Sequence, residues 1–181
     1  MKFETISVIG GGAWGTALAQ TASLTGKRVL LWAREADVVA DINERHVNRM
    51  FLPGVPLDPA LRATTDIAEA ARADAILMVA PAQHMRAVAT GLSRQMPEGK
   101  PFVICCKGIE QQTGKLMGDV AGEVLPQAII AVLSGPSFAA DVARGLPAAL
   151  TLACRNEPVG RGLTSAVSAR ACATAGRAAA A

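Results

Sequence analysis

The sequence contains no tyrosine, and aromatic residues make up only 3% of its 181 positions. A nucleic-acid-binding domain is expected to interleave aromatics with a basic patch, so this scarcity argues against that class. Charge argues the same way. Positions 1 to 154 balance 14 basic against 14 acidic residues, and the net +3 sits in positions 155 to 181, where Arg155, Arg161, Arg170 and Arg177 outnumber Glu157. Apolar runs are short: stretches such as Ala75 to Ala80 and Ala128 to Leu133 fall far below the ~18 residues of a membrane span. Only Val8 and Ile9 are continuously apolar before Gly10, which is no signal-peptide core, so a cytoplasmic location without membrane attachment is expected. Cys105, Cys106, Cys154 and Cys172 show no Cys-x-x-Cys spacing, and only His46 and His84 could join them as ligands. Free thiols are therefore expected, with no metal site.

What is present is apolar and orderly. With 51% hydrophobic and 18% charged residues, most of the chain is expected to fold, and its length suits one well-packed domain. Short runs rich in Val, Ile and Leu alternate with longer amphipathic stretches, the rhythm of strand, helix, strand, helix. Strands are expected at Thr5 to Ile9, Arg28 to Trp32, Ala75 to Ala80, Phe102 to Cys106, Ala128 to Leu133 and Ala148 to Leu152, with a weaker one at Leu61 to Thr64. Helices fit Trp14 to Leu24, Ala36 to Val47, Met85 to Gln95, Thr113 to Leu125 and Ser137 to Ala143, with a short one at Asp66 to Ala71. Pro53, Pro56 and Pro59 make the segment between Met50 and Leu61 a loop. The pattern predicts an α/β fold with a doubly wound, mostly parallel sheet in a single domain over residues 1 to 154. Residues 155 to 181 hold nine alanines and read as a poorly ordered Ala/Arg-rich tail.

Gly10-Gly11-Gly12-Ala13-Trp14-Gly15 matches G-x-G-x-x-G, and its setting raises it above a chance match. A strand precedes it, a helix follows, and the next strand closes a unit of about 30 residues, the Rossmann arrangement for a dinucleotide. Gly10 would permit the tight turn, Gly12 would let a diphosphate approach the backbone, and Gly15 would allow close packing of helix on strand. The free N–H groups opening the helix would face the phosphates. Arg34 lies 19 residues after Gly15 at the tip of the second strand, placed to pair with the 2′-phosphate of NADP, while neighbouring Glu35 leaves NAD open.

Two more clusters follow strands at the carboxyl edge of the sheet, where ligands bind in open α/β folds. In Lys107-Gly108-Ile109-Glu110, Lys107 either offers a cation to a phosphate or carbonyl oxygen or is a surface lysine. In Ser134-Gly135-Pro136-Ser137-Phe138-Ala139, Ser137 and nearby backbone N–H groups could approach a small anion, and Ser137 could also cap the helix that follows.

Together with Leu31-Trp32-Ala33-Arg34 and Phe51-Leu52-Pro53-Gly54, these segments resemble, in order over residues 5 to 154, the bacterial NAD(P)-dependent glycerol-3-phosphate dehydrogenases. The resemblance implies reversible hydride transfer between NAD(P)H and dihydroxyacetone phosphate or sn-glycerol 3-phosphate, a phosphorylated small-molecule substrate that feeds phospholipid synthesis. Carried over by position, Ala13, Trp14, Arg34, Lys107 and Ala139 would contact the cofactor beside the glycines, and Lys107, Gly135 and Ser137 would contact substrate. A lysine ammonium near the C2 oxygen would stabilise the negative charge that develops there.

Members of that family continue into an all-helical domain that supplies the general acid/base lysine, and no residue here matches it. The chain therefore reads as truncated, with no catalytic acid or base of its own, expected to bind cofactor with little turnover. Surface left bare by truncation would favour self-association. The alternatives are a non-catalytic nucleotide-binding module or the cofactor domain of another two-domain reductase.

Overall fold

The computed structural model describes residues 2–168 and 172–177. Eight strands form one sheet: β1 (Thr5–Ile9), β2 (Arg28–Trp32), β3 (Arg62–Thr64), β4 (Ala75–Met78), β5 (Pro101–Ile104), β6 (Ile129–Ser134), β7 (Ala148–Cys154) and β8 (Cys172–Arg177). Their spatial order is β3-β2-β1-β4-β5-β6-β7-β8. All neighbours run parallel except β6 and β7. The chain winds outward from β1 to β3, then returns to β4 on the other side of β1. That reversal between β1 and β4 is the switch point where open α/β sheets form a crevice. Register brings the carboxyl ends level, with Ile9 opposite both Trp32 and Met78, and Met78 opposite Ile104.

Helices cover both faces: α1 (Ala13–Ser23), α2 (Ala36–Ala40), α3 (Ile67–Ala70), α4 (Ala82–Ser93), α5 (Met117–Val124), α6 (Ala139–Ala143) and α7 (Glu157–Val167). Alternate strand residues feed two cores. Val8, Leu31, Leu77 and Val103 pack with Leu18, Val142 and Leu163 on one face. Ile9, Ile76, Met78 and Phe102 pack with Met85, Leu92 and Val120 on the other. Every residue of β4 is buried, as a central strand covered on both sides requires. Among the described residues no helix is long and apolar enough to cross a membrane.

Several expectations differ from what is observed. The helix expected over Ala36 to Val47 stays α-helical only to Ala40, then widens into a π-turn over Asp41–Arg45 and stops at His46, whose φ is 54°. The wide turn places Asn43 against β3, where its side chain both donates to the Ala63 carbonyl and accepts the Ala63 N–H. The helix expected from Thr113 starts at Met117, because Gly114 takes a φ of 70° and closes a turn before it.

The largest difference lies beyond residue 154. Asn156 accepts the N–H of Val159 and caps α7, and the helix buries Val159, Leu163, Ala166 and Val167 in the first core. Strand β8 then pairs parallel to β7 from Cys172 to Arg177. A tail without structure is thus corrected for both segments, because the apolar residues of α7 share one helical face despite the alanine-rich composition. The same expectation for residues 169–171 and 178–181 lies outside the described residues.

Candidate functional site

Each glycine of the turn between β1 and α1 meets a different constraint. Gly10 has a φ of 130°, donates its N–H to the Trp32 carbonyl at 2.9 Å, and leaves no room for a side chain against the Ala80 backbone. A Cβ on Gly15 would stand 1.8 Å from the Gly10 carbonyl oxygen, so α1 can lie this close to β1 only without one. A Cβ on Gly11 would fall 2.5 Å from that of Ala33, a constraint the motif alone did not predict. Gly12 is the exception: it is exposed, and nothing lies within 4 Å of where its Cβ would be. As N-cap of α1 it provides no side-chain cap, and the first turn of the helix carries no acidic residue. The free N–H groups there carry partial positive charge toward open space.

That space is a cleft in two parts along the carboxyl edge. One cavity, of about 400 Å³, is lined by Gly10 to Gly15, Trp32, Arg34, Glu35, Phe51, His84 and Val88. The other, of about 350 Å³, is lined by Cys105, Cys106, Lys107, Gly135, Ser137, Phe138 and Ala139. Trp14, Val79 and Pro81 border both. The structure therefore places Gly10, Gly12, Ala13, Trp14, Gly15 and Arg34 around the first cavity, and Lys107, Gly135, Ser137 and Ala139 around the second. The Arg34 side chain is 80% exposed and meets the Glu35 carboxylate at 3.3 Å.

The second cavity is bounded by two loops. In the first, Gly108 adopts a φ of 135°, and Glu110 is buried while accepting both Nε and NH2 of Arg86 at 2.8 Å and the Thr113 hydroxyl at 2.5 Å. The Arg86 guanidinium, helped by Thr113, holds the Glu110 carboxyl down at about 2. Gln83 of α4 braces the same loop, donating to the Ile109 carbonyl and accepting the Gln111 N–H. From this loop Lys107 reaches the Gly135 carbonyl at 3.5 Å. In the other loop, a Cβ on Gly135 would strike the Ala149 carbonyl oxygen at 2.5 Å. The Ser137 hydroxyl is buried with no hydrogen-bond partner. It does not cap α6, contrary to one sequence expectation: the cap position belongs to Phe138, because the helix starts only at Ala139.

A bound dinucleotide fits these residues on structural grounds. A backbone without side chains faces uncapped helix N–H groups at one end, and an orphaned buried hydroxyl beside a lysine faces the other. Cys105, Cys106 and Cys154 are free, and burial pushes the Cys105 and Cys106 thiols up. Among the described residues no group of three His, Cys, Asp or Glu could hold a metal ion. Sequence reasoning missed Phe51 and His84 as walls of the first cavity. Phe51 lies within the Phe-Leu-Pro-Gly segment, but its place beside the glycine turn depends on the tertiary path of that loop.

A doubly wound sheet with a glycine turn at its switch point places the chain in the Rossmann-like class of α/β domains. Within that class, a family profile described as the N-terminus of NAD-dependent glycerol-3-phosphate dehydrogenase matches residues 5–159, and the chain belongs to this family. It is 62% identical over 164 residues to a glycerol-3-phosphate dehydrogenase [NAD(P)+] of Paramagnetospirillum magneticum, covering 91% of this chain and 60% of that protein. Its identity to the enzyme of the same name from Parvibaculum lavamentivorans is 56% over 167 residues, covering 92% and 50%. The crystal structure of glycerol-3-phosphate dehydrogenase from Coxiella burnetii superposes with a TM-score of 0.89 at 30% identity, over 97% of this chain and 54% of that one. A UDP-glucose dehydrogenase of Pyrobaculum islandicum, at 18% identity and a TM-score of 0.73, shares the fold. The chain spans about half the length of the curated relatives it matches.

Proposed function

We propose that this chain binds NAD or NADP along the carboxyl edge of its sheet and forms the cofactor half of a glycerol-3-phosphate dehydrogenase, interconverting dihydroxyacetone phosphate and sn-glycerol 3-phosphate for phospholipid synthesis in the cytoplasm. The observation that carries this reading is the pair of cavities bordered in common by Trp14, Val79 and Pro81, one holding the bare Gly12 turn and the other Lys107 and the unpartnered Ser137 hydroxyl. When bound, the nicotinamide supplies or accepts the hydride at substrate C2. Gly12, Ala13 and Trp14 would hold the diphosphate through helix-opening N–H groups, with Gly10 and Gly15 shaping the turn. Arg34, 80% exposed, would exchange its Glu35 contact for a 2′-phosphate, and Ala139 would line the approach to the second cavity. There Lys107 would place positive charge near the C2 oxygen, Ser137 would donate to the substrate, and Gly135, which needs no side chain to pack this closely on Ala149, would bring its backbone to the substrate. We further infer self-association through the exposed Phe138, Ile109 and Leu116, which lie 79%, 53% and 60% exposed.

Among the described residues, no second lysine lines this cavity. Lack of a general acid typically costs ~10²- to 10⁴-fold in rate. Titration with NADPH and NADH, followed by tryptophan fluorescence, is expected to show binding of at least one. Arg34→Ala should weaken NADPH about tenfold, the effect of losing roughly 1.4 kcal/mol, and leave NADH nearly unchanged. Equal weakening of both removes the 2′-phosphate role. Oxidation of NADPH by dihydroxyacetone phosphate should run far below ordinary enzyme rates of ~1 to 10³ s⁻¹, and a rate in that range overturns the expectation of little turnover.

A further inference from the structure

The glycine turn is held by a side chain from outside its own β1-α1-β2 unit. Asn48 is 1% exposed and sits between the π-turn and β3. Its Nδ2 donates to the Gly11 carbonyl at 2.9 Å and to Thr16 Oγ1 at 2.8 Å, and its Oδ1 accepts the Phe51 N–H at 3.1 Å. The last contact fixes the orientation of the amide, since only the oxygen can accept an N–H. Thr16 Oγ1 in turn lies 3.4 Å from the same Gly11 carbonyl and donates to it. Two side-chain donors thus converge on one backbone oxygen, and neither Asn48 nor Thr16 lines the cleft.

A trans peptide points its C=O and N–H in opposite directions. Turning the Gly11 carbonyl inward toward Asn48 and Thr16 therefore turns the Gly12 N–H outward, toward the open side of the turn. A peptide between two glycines has little steric resistance to rotation, so its direction has to be set from outside. In the reverse orientation it would present a carbonyl oxygen to the cleft and repel phosphate. We propose that Asn48 is a positioning residue for the cofactor: it aims the Gly12 N–H at the diphosphate and, through the Phe51 N–H, ties the apolar wall of the adenosine end to the same point. This rests on the dinucleotide reading given above.

The test compares Asn48→Asp with the unaltered chain by NADPH titration from about pH 8 to about pH 5, with thermal unfolding as the check on folding. The substitution preserves shape and replaces the donating NH₂ with an oxygen. NADPH affinity is expected to fall about 10- to 100-fold at pH 8. A carboxyl buried against a carbonyl titrates above its ordinary value of about 4, so protonation restores one donor and the deficit relative to the unaltered chain narrows as pH falls. A merely structural role would make the affinity deficit follow the loss of unfolding temperature at every pH, and that result, or undiminished affinity at about pH 8, overturns the proposal. If Asn48→Asp does not fold, Thr16→Val carries the test, because it removes one donor to Gly11 and one acceptor of Asn48. About threefold weaker NADPH binding with little change in unfolding temperature is expected, and unchanged affinity overturns the proposal. If the unaltered chain itself binds no dinucleotide, the reading of the whole cleft fails instead.

Discussion

At the glycine-turn end of the cleft, the backbone is braced from behind by buried protein: Gly15 against the Gly10 carbonyl, Gly11 against Ala33, and the Gly11 oxygen held by Asn48. At the Lys107 end the arrangement is looser. Ser137 Oγ has no partner, the Lys107 hydrogen bond to the Gly135 carbonyl spans 3.5 Å, and Phe138 is 79% exposed. The first end is built from packing within a βαβ unit and one loop, so its shape exists before any ligand arrives. At the second end the Ser137 hydroxyl has no protein partner and the Lys107 hydrogen bond is long. In the function proposed above, preorganisation is thus concentrated at the end that would take the diphosphate, and specificity would be left to the other.

Separating the two kinds of glycine tests this most severely. Gly15→Val puts a side chain where even a Cβ would overlap the Gly10 oxygen at 1.8 Å, so loss of more than about 4 kcal/mol or failure to fold is expected in thermal unfolding. Gly12→Ala has space and an ordinary backbone φ of −68°, and should change stability by no more than about 1 kcal/mol. Its cost should appear in NADPH binding instead. If both variants unfold alike, the division between a framing glycine and a ligand-facing one is lost.

A smaller loss is expected from α7, which supports the sheet without reaching the cleft. Leu163 is fully buried in the first core, and Leu163→Ala should cost about 3 kcal/mol in denaturant unfolding. Dinucleotide affinity should stay within about twofold under conditions where the variant is folded. A large loss of affinity would mean that this segment shapes the cleft after all.

Local sequence revealed those features that local sequence determines. Strands β1 and β2 fall where their Val, Ile and Leu runs predict, and the glycine turn was legible because its residues are adjacent, although Ala80 and Asn48, which also constrain it, lie outside its unit. The π-turn was not, because it depends on Asn43 meeting Ala63, 20 positions away. Helix α7 was obscured by composition: alanine and arginine drew attention from Val159, Leu163, Ala166 and Val167, whose spacing does mark one buried face. Strand β8, Cys172–Arg177, has almost none of the β-branched residues that signal a strand and exists as a partner to β7. Asn48 was invisible as part of the site because its contact with Gly11 spans 37 positions.

The finest test of the comparison is electrostatic. Hydrogen bonds among uncharged groups hold the Gly11 oxygen, whereas the Lys107 loop depends on the Glu110 carboxylate between Arg86 and Thr113. Glu110 titrates at about 2 in the folded chain against an ordinary 4.5. A carboxyl with a depressed folded value stabilises fully above its unfolded value and loses that contribution as pH falls toward the folded one. The loop should therefore loosen between about pH 4.5 and about pH 2, seen as faster hydrogen exchange at Gln111 and Lys115. Asp41, also lowered to about 2 by Arg49 and Arg45, loses its contacts over a similar range, so acid lability of the whole chain cannot assign the effect. Glu110→Gln can, because it should lower the unfolding temperature near neutral pH, with the difference from the unaltered chain shrinking as acid discharges the native carboxylate. A difference that persists undiminished at about pH 2 would mean that shape and neutral hydrogen bonds, not charge, hold this end as they hold the other.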